Sequence, residues 1–223
     1  MGYRLENKEI ELEGLRKLSF TPTQKAGDVY RYKNYALRIF KEGEEPIDQQ
    51  TAKYLTDIST DRIILPRKLL FYNNAFKGYT MKLVSQKGSG KRISTTPKED
   101  VLESIVALEK DIETLSQKKV LLNGATPGYT LYNGSLYIVD PSNYRILDAV
   151  DTSSLEQLNQ FQLHLLITEL IAADLRKARV QQSTIQHLKE ILNLRDNEQT
   201  SSDYLRELLQ GQSNIKGLVK KIR

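Results

Sequence analysis

The chain has 223 residues and no cysteine, which excludes disulfides and thiolate metal sites. Only two histidines are present, and there is neither a histidine-rich metal motif nor a serine nucleophile elbow, so zinc and hydrolase chemistry drop out. Long apolar runs are missing too. The most apolar window, Leu163 to Leu175, contains His164, Glu169 and Asp174 and falls short of the roughly 18 uncharged residues of a membrane span. It reads as a core helix. The polar start, Met1 to Glu9, lacks the apolar run of an export signal, and Glu6 breaks the myristoylation pattern, so a cytoplasmic location is expected. Nor is there a dominant charge. Thirty-three basic residues face 28 acidic ones, a net +5, which describes a mixed surface and makes nucleic acid or a membrane surface a minority reading for partners.

What is present suits a folded protein: 39% hydrophobic and 27% charged residues, enough for one large domain or two small lobes. Residues 1–84 read as a β-rich lobe. A glycine turn at Gly27 and the stretch Tyr30 to Phe40 suggest alternating strands, Arg62–Pro66 and Lys68–Tyr72 are β-rich, and Asn73-Asn74 separates the latter from Phe76–Val84 as a hairpin turn would. Between them Ile47, Thr51, Tyr54, Leu55 and Ile58 fall at helical spacing. Residues 85–95, with Gly88, Ser89 and Gly90, read as a polar linker, and Gly88-Ser89-Gly90-Lys91 lacks the first glycine and the hydroxyl residue of a P-loop.

Residues 96–223 read as a mainly helical lobe. Thr96-Pro97-Lys98-Glu99 predicts a capping box, and Val101, Ile105, Leu108, Ile112 and Leu115 predict a buried helical face. After a loop-rich segment, Leu136–Val139 forms an apolar strand ending at Asp140. Four further helices follow: one through Leu155, Leu158, Phe161, Leu165 and Ile171, one through Ile185, Leu188 and Ile191, one through Tyr204 to Leu209, and one through Ile215 to Ile222. His164 and His187 sit within apolar helical patterns and read as structural. The basic residues from Lys216 to Arg223 suit a solvated helix carboxyl end.

The strand Tyr35-Ala36-Leu37-Arg38 and the later strand ending at Asp140 resemble, in order and separation, the phosphate clamp of the protein-kinase-like superfamily, in particular compact bacterial homologues. The resemblance runs from about Gly27 to Ile222. It implies an α+β, bilobal protein-kinase-like fold, with a small β-rich N-lobe carrying one helix and a mainly helical C-lobe. It also implies nucleotide-binding positions at Gly27, Arg38, Asp48, Met81, Leu83 and Asn123, a metal position at Asp140, and ATP with magnesium as the cofactors.

The catalytic parts depart from the family pattern. Arginine stands where the strand lysine belongs, and the helix offers Asp48 or Gln49 in place of a glutamate. Aligned on Pro127-Gly128, Gly124 replaces the base aspartate and Tyr129 the metal asparagine. A one-residue shift would bring Asn123 to the base position, where an amide cannot accept a proton as a carboxylate does. No catalytic residue is assigned. The expectation is a pseudokinase that binds a protein partner, with a divergent magnesium- and ATP-dependent phosphotransferase as the alternative. On residues alone, Asp140 reads equally as the start of a turn, and Arg38 as a solvated surface charge.

Overall fold

A computed structural model describes residues 2–18, 27–44, 46–84, 92–122, 129–132, 134–139, 144–196 and 198–222. The N-lobe is a six-stranded antiparallel sheet built from β1 (Tyr3–Leu5), β2 (Lys8–Ile10), β3 (Gly27–Tyr32), β4 (Tyr35–Phe40), β5 (Pro66–Tyr72) and β6 (Ala75–Lys82). In space the order is β2-β1-β5-β6-β4-β3, which puts β4 and β6 side by side in the interior of the sheet. One helix, α1 (Gln49–Thr56), packs against β5.

The C-lobe contains α2 (Lys98–Gln117), β7 (Val120–Leu122), β8 (Tyr129–Tyr132), β9 (Ser135–Ile138), β10 (Tyr144–Ile146), α3 (Thr152–Lys177), α4 (Gln182–Leu192), α5 (Ser201–Leu208) and α6 (Ile215–Lys221). The architecture is therefore the bilobal α+β arrangement expected of the kinase-like fold.

Turn chemistry sets the register of the N-lobe. Asn73 and Asn74 both adopt positive φ, 48° and 68°, the geometry a two-residue hairpin turn requires and asparagine tolerates. The turn between β3 and β4 lies at Lys33-Asn34, with Lys33 at φ 52°, and not at Gly27. Gly27 is instead the buried first residue of β3, opposite Phe40. The short β1–β2 hairpin, invisible to alternation because each strand has only three residues, caps the sheet beyond β5 and joins Leu5 to Leu37 and Leu70 in a small core on the outer face.

Helical periodicity carries over well to α2, where Val101, Ile105, Leu108, Ile112 and Leu115 are all buried. The capping box does not form. Helix α2 starts one residue late, with Pro97 at its cap, and the Thr96 hydroxyl donates to the Arg92 carbonyl. The linker expectation for 85–95 also changes at its far end. Ile93–Thr95 form a 3-10 turn whose Ser94, 1% exposed, donates its N–H and hydroxyl to Asp174 on α3. Residues 85–91 lie outside the described residues.

On α3 the buried stripe is Leu155, Asn159, Leu163, Leu166 and Leu170, while Leu158 and Phe161, two of the residues that mark this helix in the sequence, are each 46% exposed. His164 is buried between helices. Its Nε2 lies 2.8 Å from the Leu192 carbonyl, which can only accept, so Nδ1 takes the Ser201 hydroxyl at 3.0 Å and the ring is held as one neutral tautomer. Burial, assisted by the Arg195 cation, holds the imidazole below its usual range, against the opposing pull of the Leu192 bond. His187, by contrast, is exposed.

Two expectations follow. A Cβ at Gly78 (φ 153°) would stand 2.0 Å from the Arg38 carbonyl oxygen, so Gly78→Ala should cost about 3 kcal/mol or more in urea unfolding. Because the native state resists protonating His164, its contribution is complete above the unfolded imidazole value and is lost as pH falls below about 6.5 toward the folded one. Wild-type stability should thus drop more steeply than that of His164→Gln between pH 7 and 5, and parallel profiles would refute the assignment.

Candidate functional site

Directly opposed residues of an antiparallel pair share a face, and β4 uses this to gather side chains from three strands on the core-facing side of the N-lobe sheet. Arg38 lies opposite Val29 of β3 and Tyr79 of β6, Ala36 lies opposite Met81, and Phe40 lies opposite Gly27. Gly27, Arg38 and Met81 are therefore gathered on one face, and it belongs to the main core and not to the small outer one. Leu83 follows directly on β6 and is half-buried against the same core.

The surface-charge reading of Arg38 is overturned. The side chain is only 2% exposed, and its Nη1 donates to the Tyr79 hydroxyl at 3.2 Å. A guanidinium cannot shed its charge, so its burial is tolerated only with hydrogen-bond partners around it. Tyr79 is itself fully buried and meets the Phe40 ring edge-on at 5.8 Å. Sequence reading placed Tyr79 on the correct strand without identifying this partnership, because the β4–β6 register is not set by a short turn.

Gly27 serves packing. A Cβ there would lie 2.5 Å from the Ile39 carbonyl oxygen, so glycine allows β3 to approach β4 closely.

Asp48 stands apart from this group. It is exposed and caps α1, one carboxylate oxygen accepting the Thr51 N–H at 2.8 Å and the other the Thr51 hydroxyl at 2.7 Å. Burial pushes its carboxyl upward, but the Thr51 bonds and neighbouring backbone N–H groups outweigh it and hold the group below its ordinary value. The helix acid is thus committed to starting the helix.

Asn123 and Asp140 lie outside the described residues, as do residues 124–128, but the strands leading to them are described. Ahead of Asn123, β7 is pinned by Asn159, which is fully buried. Its Oδ1 accepts the Leu122 N–H, while Nδ2 donates to the Val120 carbonyl and the Ser116 hydroxyl. Ahead of Asp140, β9 is stitched to the loop after α1: Ile64 N–H donates to the Ile138 carbonyl at 2.7 Å, and Ile138 N–H to the Arg62 carbonyl at 3.0 Å.

That loop is in turn held by Asp111 of α2, whose carboxylate accepts the backbone N–H groups of Asp61, Arg62 and Ile63 at 2.7–2.9 Å. Burial pushes the Asp111 carboxyl above its usual value, although the three N–H donors pull the other way. Arg62 also donates to the Tyr137 hydroxyl at 2.8 Å, and both Arg62 and Lys82 stand over the Tyr137 ring. Neither Asp111 nor Asn159 was a site candidate on sequence, since an acid or amide on an amphipathic helix carries no mark of what it will face.

Among the described residues no group of three or more histidines or acids is placed to hold a metal ion. No protein-family model matches the chain, and no curated protein matches it in sequence.

The Asp111 contacts generate a direct test. Asp111→Ala leaves three main-chain donors without their acceptor and should cost about 2–4 kcal/mol. In hydrogen exchange, the amides of 61–63 should lose protection beyond the global loss; unchanged protection there would show that other groups hold the loop.

Proposed function

We propose that the chain is a pseudokinase-type domain that works by engaging a protein partner, its interlobe cleft either empty or holding a nucleotide as a structural switch. The observation that carries this reading is the environment of Arg38. At the strand position where the kinase-like resemblance calls for a lysine that grips phosphate and pairs with a helix carboxylate, a forked cation is buried against the Tyr79 hydroxyl. The acid at the start of α1 meanwhile spends both oxygens on Thr51. Gly124 and Tyr129 at the aligned catalytic-loop positions support the same reading, because groups that act as a unit are poorly rescued once several are replaced.

The second reading, a divergent phosphotransferase using ATP and magnesium, draws on the face that Arg38 shares with Ala36 and Met81 and on the strand leading to Asp140. In it Arg38 would grip phosphate, Asp140 would hold magnesium, and positioning would supply most of the rate.

A thermal-shift titration with ATP, with and without magnesium, separates the two. The pseudokinase reading expects no magnesium-dependent rise in wild type, or one that Asp140→Asn leaves intact. A magnesium-dependent rise abolished in Asp140→Asn would favour the phosphotransferase. Arg38→Lys should lower stability by about 1–3 kcal/mol through loss of the fork's contacts, without creating a nucleotide response.

A further inference from the structure

Helix α4 starts without a side-chain cap. Gln181 stands at the cap position with no side-chain bond to the helix, and the first turn holds no acid. The first bond into the helix runs from the Ile185 N–H to the Gln181 carbonyl, so the N–H groups of Gln182, Ser183 and Thr184 find no acceptor within it.

A groove of about 370 Å³ opens at this turn, lined by Gln181, Ser183, Thr184 and His187 and, from the end of α6, by Ile222. Thr184 is only 8% exposed. Its hydroxyl makes no hydrogen bond among the described residues, and unlike the equally unpartnered Thr168 hydroxyl it is not closed off from solvent. A buried side chain thus keeps its one polar atom for what enters the groove.

The charge around this turn has one sign. No acid occurs from Leu175 to Lys189 or from Gly211 to Arg223. Arg176 and Lys189 are drawn off by Glu169, but Lys177, Arg179, Lys220 and Lys221 are exposed. His187, one turn along α4 from Ser183, is exposed as well, its Nδ1 3.7 Å from Glu190. The positive end of the helix dipole adds to this field.

We propose that the start of α4 binds a phosphate monoester. Every polar group offered there can donate, and a tetrahedral dianion brings an oxygen for the main-chain N–H groups, one for the Thr184 hydroxyl and one for Ser183 or His187, where a planar carboxylate has only two. The shared chemistry is that of a phosphorylated side chain and of free phosphate. The site has no residue in common with the Arg38 group and does not depend on the reading of the chain as a pseudokinase.

The test is an amide NMR titration, with calorimetry for affinity, using inorganic phosphate, an acetylated phosphoserine tetrapeptide and the same peptide unphosphorylated. Shifts centred on residues 182–184 should appear with both phosphate-bearing probes and not with the third; tighter binding of the phosphopeptide makes a phosphorylated chain the source, and equal binding makes it free phosphate. Thr184→Val should weaken binding about tenfold or more, yet leave the free protein as stable as wild type, because the hydroxyl bonds nothing within it. Ser183→Asp should abolish binding while holding or raising stability, since an acid in the first turn favours the helix and repels the anion, a combination that damaged folding cannot produce. Absence of binding overturns the proposal. So does binding that both variants leave intact and Lys220→Ala/Lys221→Ala removes, which would reduce the face to a patch of lysines.

Discussion

The lobes are held together by a carboxylate that reads main chain. Asp111 projects from the first long helix of the C-lobe and collects three consecutive N–H groups from the loop after α1, and the same loop pairs with β9. A buried carboxylate is costly unless its lone pairs are filled, and a loop's N–H groups are costly unless accepted, so each removes the other's penalty. The position of α1 relative to the C-lobe, and of the strand running toward Asp140, depends on this exchange. The cation-π contacts of Arg62 and Lys82 on Tyr137 reinforce it from the other side of the loop.

Other buried polar groups follow the same pattern at smaller scale. Asn159 ties α3 to β7 and α2, Asp174 ties α3 to the 3-10 turn that follows the N-lobe, and Glu109 ties α2 to the start of α5. Each joins segments distant in sequence, and each satisfies backbone groups that regular structure leaves over. The C-lobe is therefore specified by polar ties as well as by its apolar core.

Sequence reading caught what is local and periodic. The α2 stripe, the four later helices, the Asn73-Asn74 turn and the order of a β-rich lobe before a helical one are all written in short-range pattern. It missed β1 and β2, too short to alternate, and the equally short β7 and β10, each of which exists only as the other's partner. It marked α3 without its inner face, because that helix is apolar on several sides and spacing alone does not say which stripe is inside. At the candidate site, Arg38 and Met81 were found through resemblance, whereas Tyr79 as the arginine's partner and Asp111 as the loop's anchor emerge only from long-range register. Asp48 was legible as a carboxylate near a helix start; its capping role comes from the hydroxyl three residues on.

The mode of attachment at Asp111 has a consequence for how such a chain can diverge. Its partners are peptide N–H groups, so for these bonds any residue but proline would serve at positions 61, 62 and 63. The constraint falls almost wholly on position 111, while the segment it holds can exchange its side chains freely on this account. Lineages could thus rewrite position 61, the one of the three that the loop displays, without loosening the joint between the lobes, whereas Arg62 and the buried Ile63 carry contacts of their own.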